Sequence, residues 1–154
     1  PEAEAYYLLA RIAQKERSWS EMEFYAQKAT TLDMKNGNYY YLFASALHSQ
    51  KKYDHSEEVA SLAIKYSKKP HAWMYNIRAW SLWYQDKSFD AMSDWIKAFS
   101  LAPDRSQFPY YIALVCEKEG IFDQGLEYIN KALALEPDKE QYKKLKERLE
   151  FYTQ

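Results

Sequence analysis

Residues 120–137 read Gly-Ile-Phe-Asp-Gln-Gly-Leu-Glu-Tyr-Ile-Asn-Lys-Ala-Leu-Ala-Leu-Glu-Pro. The stretch opens on Gly120 and Phe122, sets small residues at Gly125 and Ala132, and closes on Pro137. Working outward from Ala132, the same small residue recurs at Ala98, Ala63 and Ala29, at spacings of 34, 35 and 34. Ala10, Ala44, Ala79 and Ala113 repeat those spacings. A third register, Met22, Ser56, Ala91 and Gly125, is small in three of four copies. A fourth is aromatic, Trp19, Tyr53, Phe89 and Phe122, with Phe89 one place late. Four registers sharing one period identify a repeat array, in which each unit buries its apolar face only by stacking on a neighbour.

Composition points the same way. The chain has 154 residues, 47% hydrophobic and 18% aromatic, with only 3 Gly and 5 Pro. A sandwich or barrel needs turn residues every few residues of strand, which this chain lacks, so helices are expected throughout. The aromatics stand out: 15 Tyr, 7 Phe and 5 Trp. Lys and Arg number 21 against 22 Asp and Glu, so no global field gathers nucleic acid or anionic membrane. No run is long and apolar enough to span a bilayer. The single cysteine, Cys116, excludes an internal disulfide and a zinc-cysteine cluster. One thiol leaves the compartment open, with a cytoplasmic setting favoured. With Pro1 in place of Met, the sequence is expected to be a segment of a longer chain.

With these registers in place, the sequence resembles the tetratricopeptide repeat family over about residues 3–139. The family pattern pairs a small residue in the first helix with two in the second, an aromatic at the turn and a closing Pro. The last copy matches it best, and the third supplies Ala91, Trp95, Ala98 and Pro103. The first two copies depart, with Met34 and Lys68 at the Pro position and Met22 where a small residue is usual. The resemblance implies an all-α, right-handed α-solenoid of about four repeats, at about 3–36, 37–70, 72–105 and 106–139, forming one domain. The alanines let the paired helices approach, because a ridge enters a groove only where side chains are small. The extra residue between copies two and three falls near Lys68-Lys69-Pro70-His71 and predicts a longer loop. Beyond Pro137, Tyr142, Leu145, Leu149 and Tyr152 form one apolar stripe on a charged helix over about 138–154, with Asp138 as its N-cap. That helix is expected to cap the array, and no such cap precedes the first repeat.

In this family the first helix of each pair lines a concave groove. Carrying its contact positions over gives Glu4, Tyr7, Arg11, Gln14 and Lys15 in the first copy, and Asn38, Tyr41, Ser45, His48 and Ser49 in the second. The third gives Trp73, Asn76, Trp80, Trp83 and Tyr84, and the fourth Gln107, Tyr110, Leu114, Glu117 and Lys118. The partner-binding candidates are Tyr7, Arg11, Asn38, Tyr41, His48, Trp73, Asn76, Trp80, Trp83 and Tyr110. Tyr and Trp offer large contact area at small entropic cost, and the two Asn could hold an extended backbone. The competing reading is that these aromatics fill the core, as aromatics at helical spacing often do. The carboxylate clamp that some family members use for acidic chaperone tails is absent. Its positions hold Tyr7, Arg11, Ser45, Asn76 and Trp80, with a single cation among them.

No paired carboxylates or Ser-His-Asp set stands out. His48, His55 and His71 lack a spacing that would set two of them on one helix turn as metal ligands, and Cys116 falls at what the resemblance makes a core register. The expected function is a non-catalytic scaffold, without metal or cofactor, that holds a peptide or helix of a partner protein. The alternatives are self-association into a homo-oligomer through the terminal faces and, on analogy alone, a glycan-contacting accessory domain.

Overall fold

A computed structural model describes residues 1–154 and contains nine α-helices and no strand. They are α1 (Glu2–Lys15), α2 (Trp19–Leu32), α3 (Gly37–Ser49), α4 (Tyr53–Lys65), α5 (Ala72–Trp83), α6 (Ser88–Leu101), α7 (Gln107–Glu119), α8 (Phe122–Leu135) and α9 (Glu140–Tyr152). No helix is long and apolar enough to cross a membrane. The helices group into two compact units, Pro1–Asp86 with α1–α5 and Lys87–Gln154 with α6–α9.

Both alanine combs are fully buried: Ala10, Ala44, Ala79 and Ala113, and Ala29, Ala63, Ala98 and Ala132, are each 0% exposed. In the first unit Ala10 and Ala44 share a core cluster with Ala13, Met22, Ala26, Leu42, Phe43, Leu47, Val59 and Ala60. Met22 fills the place where its counterpart Ser56 is small; Ser56 instead donates to the Ala44 carbonyl at 2.9 Å and accepts from Ser81 Oγ at 2.9 Å. Two buried hydroxyls are thereby satisfied inside an apolar layer, as burial demands. In the second unit Trp95 occupies the register of Ala26, Ala60 and Ile129 and is 1% exposed, its ring 5.2 Å from Tyr111.

The turns that close the first helix of each pair repeat as faithfully as the alanines. Arg17, Lys51, Asp86 and Gly120 all have positive φ, between 57° and 75°, at the same spacings of 34, 35 and 34. Around them the bonds from Ser18 N to Ala13 O, Lys52 N to Leu47 O and Ile121 N to Cys116 O, each 2.9 Å, complete Schellman closures. Just before this residue, Gln50 and Gln85 act as staples. Each donates to the carbonyl four residues back (3.1 and 2.9 Å) and reaches the first carbonyl of the preceding helix, Trp19 or Tyr53, at 3.4 Å. Only the last copy places glycine in the left-handed position; an L-residue there costs about 1–2 kcal/mol. Lys51→Gly and Arg17→Gly should therefore each stabilise the chain by about 0.5–1 kcal/mol after the added chain entropy, read as a higher urea midpoint. Gly120→Ala should lower it.

The same register explains the displaced aromatic. Counting from the left-handed turn, α2, α4 and α8 begin on Trp19, Tyr53 and Phe122, but α6 begins on Ser88. Ser88 takes the inward place, buried with no partner for its hydroxyl, while Phe89 is 56% exposed. Phe89 is thus a neighbour of the register and not its late member. The loop at residues 66–71, where the extra residue was expected, is longer than those at 33–36 and 136–139.

At the C-terminus α9 lies against α8 and α7, and Tyr142, Leu145 and Leu149 are buried there with Ile129 and Ala132. Its N-cap is Lys139, not Asp138, and no side chain caps it. The helix is anchored from within: the Tyr142 hydroxyl lies 2.8 Å from Ser106 Oγ, and Ser106 donates to the Glu136 carboxylate. Tyr152 extends the stripe by stacking on Phe122, ring centres 4.6 Å apart.

Candidate functional site

Within the first unit, Tyr7, Arg11 and Gln14 from α1, Asn38, Tyr41 and Leu42 from α3, and His71 line one pocket of about 330 Å³. The helical periodicity of α1 sets Tyr7, Arg11 and Gln14 at spacings of four and three, hence on one face. Tyr7 is wedged by its neighbours. Its ring lies 5.1 Å from Tyr39, and Arg11 donates from Nη1 to its hydroxyl at 3.3 Å with the guanidinium over the ring at 5.8 Å. α3 enters the site with its first turn fixed by Asn36, whose side chain accepts from Asn38 N at 3.1 Å. Tyr41 is half-buried and meets His71 edge-on, ring centres 4.9 Å apart.

The electrostatics follow from this burial. Desolvation raises the Tyr41 hydroxyl above its ordinary pKa, so it stays a neutral donor. Burial pushes His71 down, opposed by a backbone hydrogen bond, and its Nδ1 has no partner. Arg11 is the one fixed cation in the lining. The pocket therefore combines a guanidinium, two phenols, two side-chain amides and an imidazole, a set suited to hydrogen-bonding an acidic or amide-bearing group.

Four of the sequence candidates, Tyr7, Arg11, Asn38 and Tyr41, thus come together. Glu4 and Lys15 do not line this pocket. His48 lies elsewhere in the same unit, among aromatic rings: edge-on to Tyr53 at 5.3 Å and 6.0 Å from Tyr84. Tyr84 stacks on Tyr53 at 4.6 Å and on Trp80 at 5.9 Å. Burial lowers the His48 pKa, and its Nδ1 is unpartnered. Trp73, Asn76 and Trp83 are half-buried on α5. Tyr110, in the second unit, packs on the core cluster with its ring 4.7 Å from Tyr142. Burial raises its pKa while Arg148 opposes the shift.

His71 is absent from the sequence-derived groove positions, which place it only near the longer inter-repeat loop. The available signal was its place directly after Pro70, at the N-cap of α5, where the extended backbone (φ −95°, ψ 163°) turns the chain into the helix. Cys116 is buried as its register implied, in contact with the space above Gly125, and burial pushes its thiol up to about 11. No three His, Cys, Asp or Glu side chains gather as metal ligands.

No protein-family model matches the sequence, and no curated protein matches it. Solved structures do match in three dimensions. YrrB, described as a TPR protein with an unusual peptide-binding site, superposes with a TM-score of 0.85 at 14% identity over 96% of this chain and 76% of its own. MamA from Desulfovibrio magneticus RS-1 gives 0.85 at 16% identity over 99% and 92%. PilF of Pseudomonas aeruginosa gives 0.82 at 18% identity over 97% and 68%. The fold is that of tetratricopeptide-repeat solenoids, reached here at 14–18% sequence identity to these three.

Proposed function

We propose that this chain is a non-catalytic protein-interaction scaffold whose first unit holds a short peptide segment in the pocket between α1 and α3. The observation that carries the reading is the convergence of Tyr7, Arg11, Asn38 and Tyr41 on one pocket of about 330 Å³. That volume suits one or two side chains and not a whole domain. Arg11 as the single fixed cation favours a segment with an acidic group, which the phenols and amides orient. YrrB, of the same fold, is described as binding a peptide, and that description supports the same use of the fold here. The neutral overall charge, net −1, fits a protein ligand better than a polyanion.

Selection from a random peptide library, followed by fluorescence anisotropy on the selected peptides, tests this. Arg11→Ala and Tyr41→Ala should each weaken binding by about 10-fold or more, the usual loss when a central anchor is truncated. Arg11 is exposed, so its variant should keep the wild-type melting temperature. Failure to select any peptide, or peptides that bind both variants like wild type, would overturn the reading.

A further inference from the structure

α1 presents a second face that adjoins the pocket at Arg11, which borders both. Leu8, Leu9 and Ile12 are 53%, 41% and 53% exposed there, three aliphatic side chains within two turns of one helix. Leu8, Arg11, Ile12 and Lys15 border an open depression of about 380 Å³. Their numbering is i, i+3, i+4 and i+7, the four-residue hole that receives one knob from a facing helix in knobs-into-holes packing. The hole is shaped for a helix, and the charges around it say which one.

Along the stripe Ala5, Leu8 and Ile12, one flank carries Glu4 near the start of α1 and Lys15 at its end. Rotated by a two-fold axis level with Leu9 and Ala10, a second α1 runs antiparallel to the first. Each Glu4 then stands level with Lys15 of the other copy on the same flank, and each Leu8 stands level with the middle of the other copy's hole. Any foreign helix would need an acid, an apolar knob and a base at this same spacing; a second copy brings all three. Such isologous pairing is the commonest symmetry of soluble oligomers.

We propose that two copies of this chain associate through antiparallel α1 helices, with Leu8 of each seated in the Leu8–Arg11–Ile12–Lys15 hole of the other and Glu4 paired to Lys15. Sedimentation velocity over a concentration series tests it. Wild type should show a monomer–dimer equilibrium that weakens as salt is raised. Leu8→Glu, at an exposed site that leaves the fold intact by circular dichroism, should raise the dimer dissociation constant more than about 100-fold by placing a charge in the apolar seat. Glu4→Lys and Lys15→Glu should each raise it about 10-fold, since each reversal sets like charges together at two symmetric points. The double variant Glu4→Lys with Lys15→Glu should restore wild-type association. A chain that stays monomeric at the highest concentration, or a dimer indifferent to these reversals, overturns the proposal and leaves the face to another occupant.

Discussion

Tyr142→Ala is expected to lower the stability of the second unit by about 3–5 kcal/mol, the range for truncating a fully buried aromatic. Tyr142 is 1% exposed, and its ring lies against Tyr110 at 4.7 Å. Its hydroxyl, 2.8 Å from Ser106, ties α9 to the start of α7, and Ser106 in turn holds Glu136 at the end of α8. Removing the side chain leaves a cavity and unties three helices at once. Tyr142→Phe separates the two contributions. It keeps the packing and loses one hydrogen bond, at a cost of about 1 kcal/mol, because Ser106 retains Glu136 as a partner. Hydrogen exchange resolved along the chain should show protection falling in α7, α8 and α9. If Tyr142→Ala costs no more than Tyr142→Phe, α9 is an appendage and not a cap.

Gly37→Ala should also destabilise, by about 1–3 kcal/mol, although alanine is ordinarily the better helix former. Gly37 is buried at the first turn of α3, where α3 meets the end of α4. A Cβ there would stand 2.0 Å from Ser67 Oγ and 2.6 Å from the Ala63 carbonyl oxygen. Ser67 could swing aside, but the backbone carbonyl cannot without moving α4. Pairing Gly37→Ala with Ser67→Ala should therefore recover only part of the loss in a urea titration, and full recovery would show that the backbone contact is not limiting. Gly125 presents a milder case. Its added Cβ would meet Cys116 Cβ at 3.0 Å and Leu149 at 3.1 Å, so two helices other than its own limit it.

These two residues show what kind of information the sequence held. Gly37 shares the 34, 35, 34 spacing with Ala3, Ala72 and Ser106, all small, but its stricter need for no Cβ at all comes from the Ala63 carbonyl of α4 and from Ser67 in the loop that follows, contacts made at this one place. Tyr142 was legible as one member of an apolar stripe, but the hydroxyl's partner, Ser106, lies 36 residues away in sequence with no pattern joining them. The candidate site divides in the same manner. Tyr7, Arg11, Asn38 and Tyr41 were legible because α1 and α3 keep regular helical phase, so a register carried from a related pattern predicts their common direction. His71 was not, because it enters the pocket from an irregular loop. His48 and Trp80 hold the helical phase too, yet they meet Tyr53 and Tyr84, contacts made by the first residue of one helix and the residue just past another. Phe89 misled by type: the register at that position is kept by Ser88, and the aromatic ring goes to solvent.

The sequence by itself determined the helices, their pairing period and the crossing points. Those follow from local and translationally repeated demands: a small residue wherever two helices touch and a polar turn between them. Repetition makes such demands visible, since each is stated four times. The tertiary structure alone decided which large side chains share a space, which face of α1 stays uncovered and where glycine admits no Cβ. These depend on the neighbours' side chains and on single irregular loops, each occurring once, so no period in the sequence announces them.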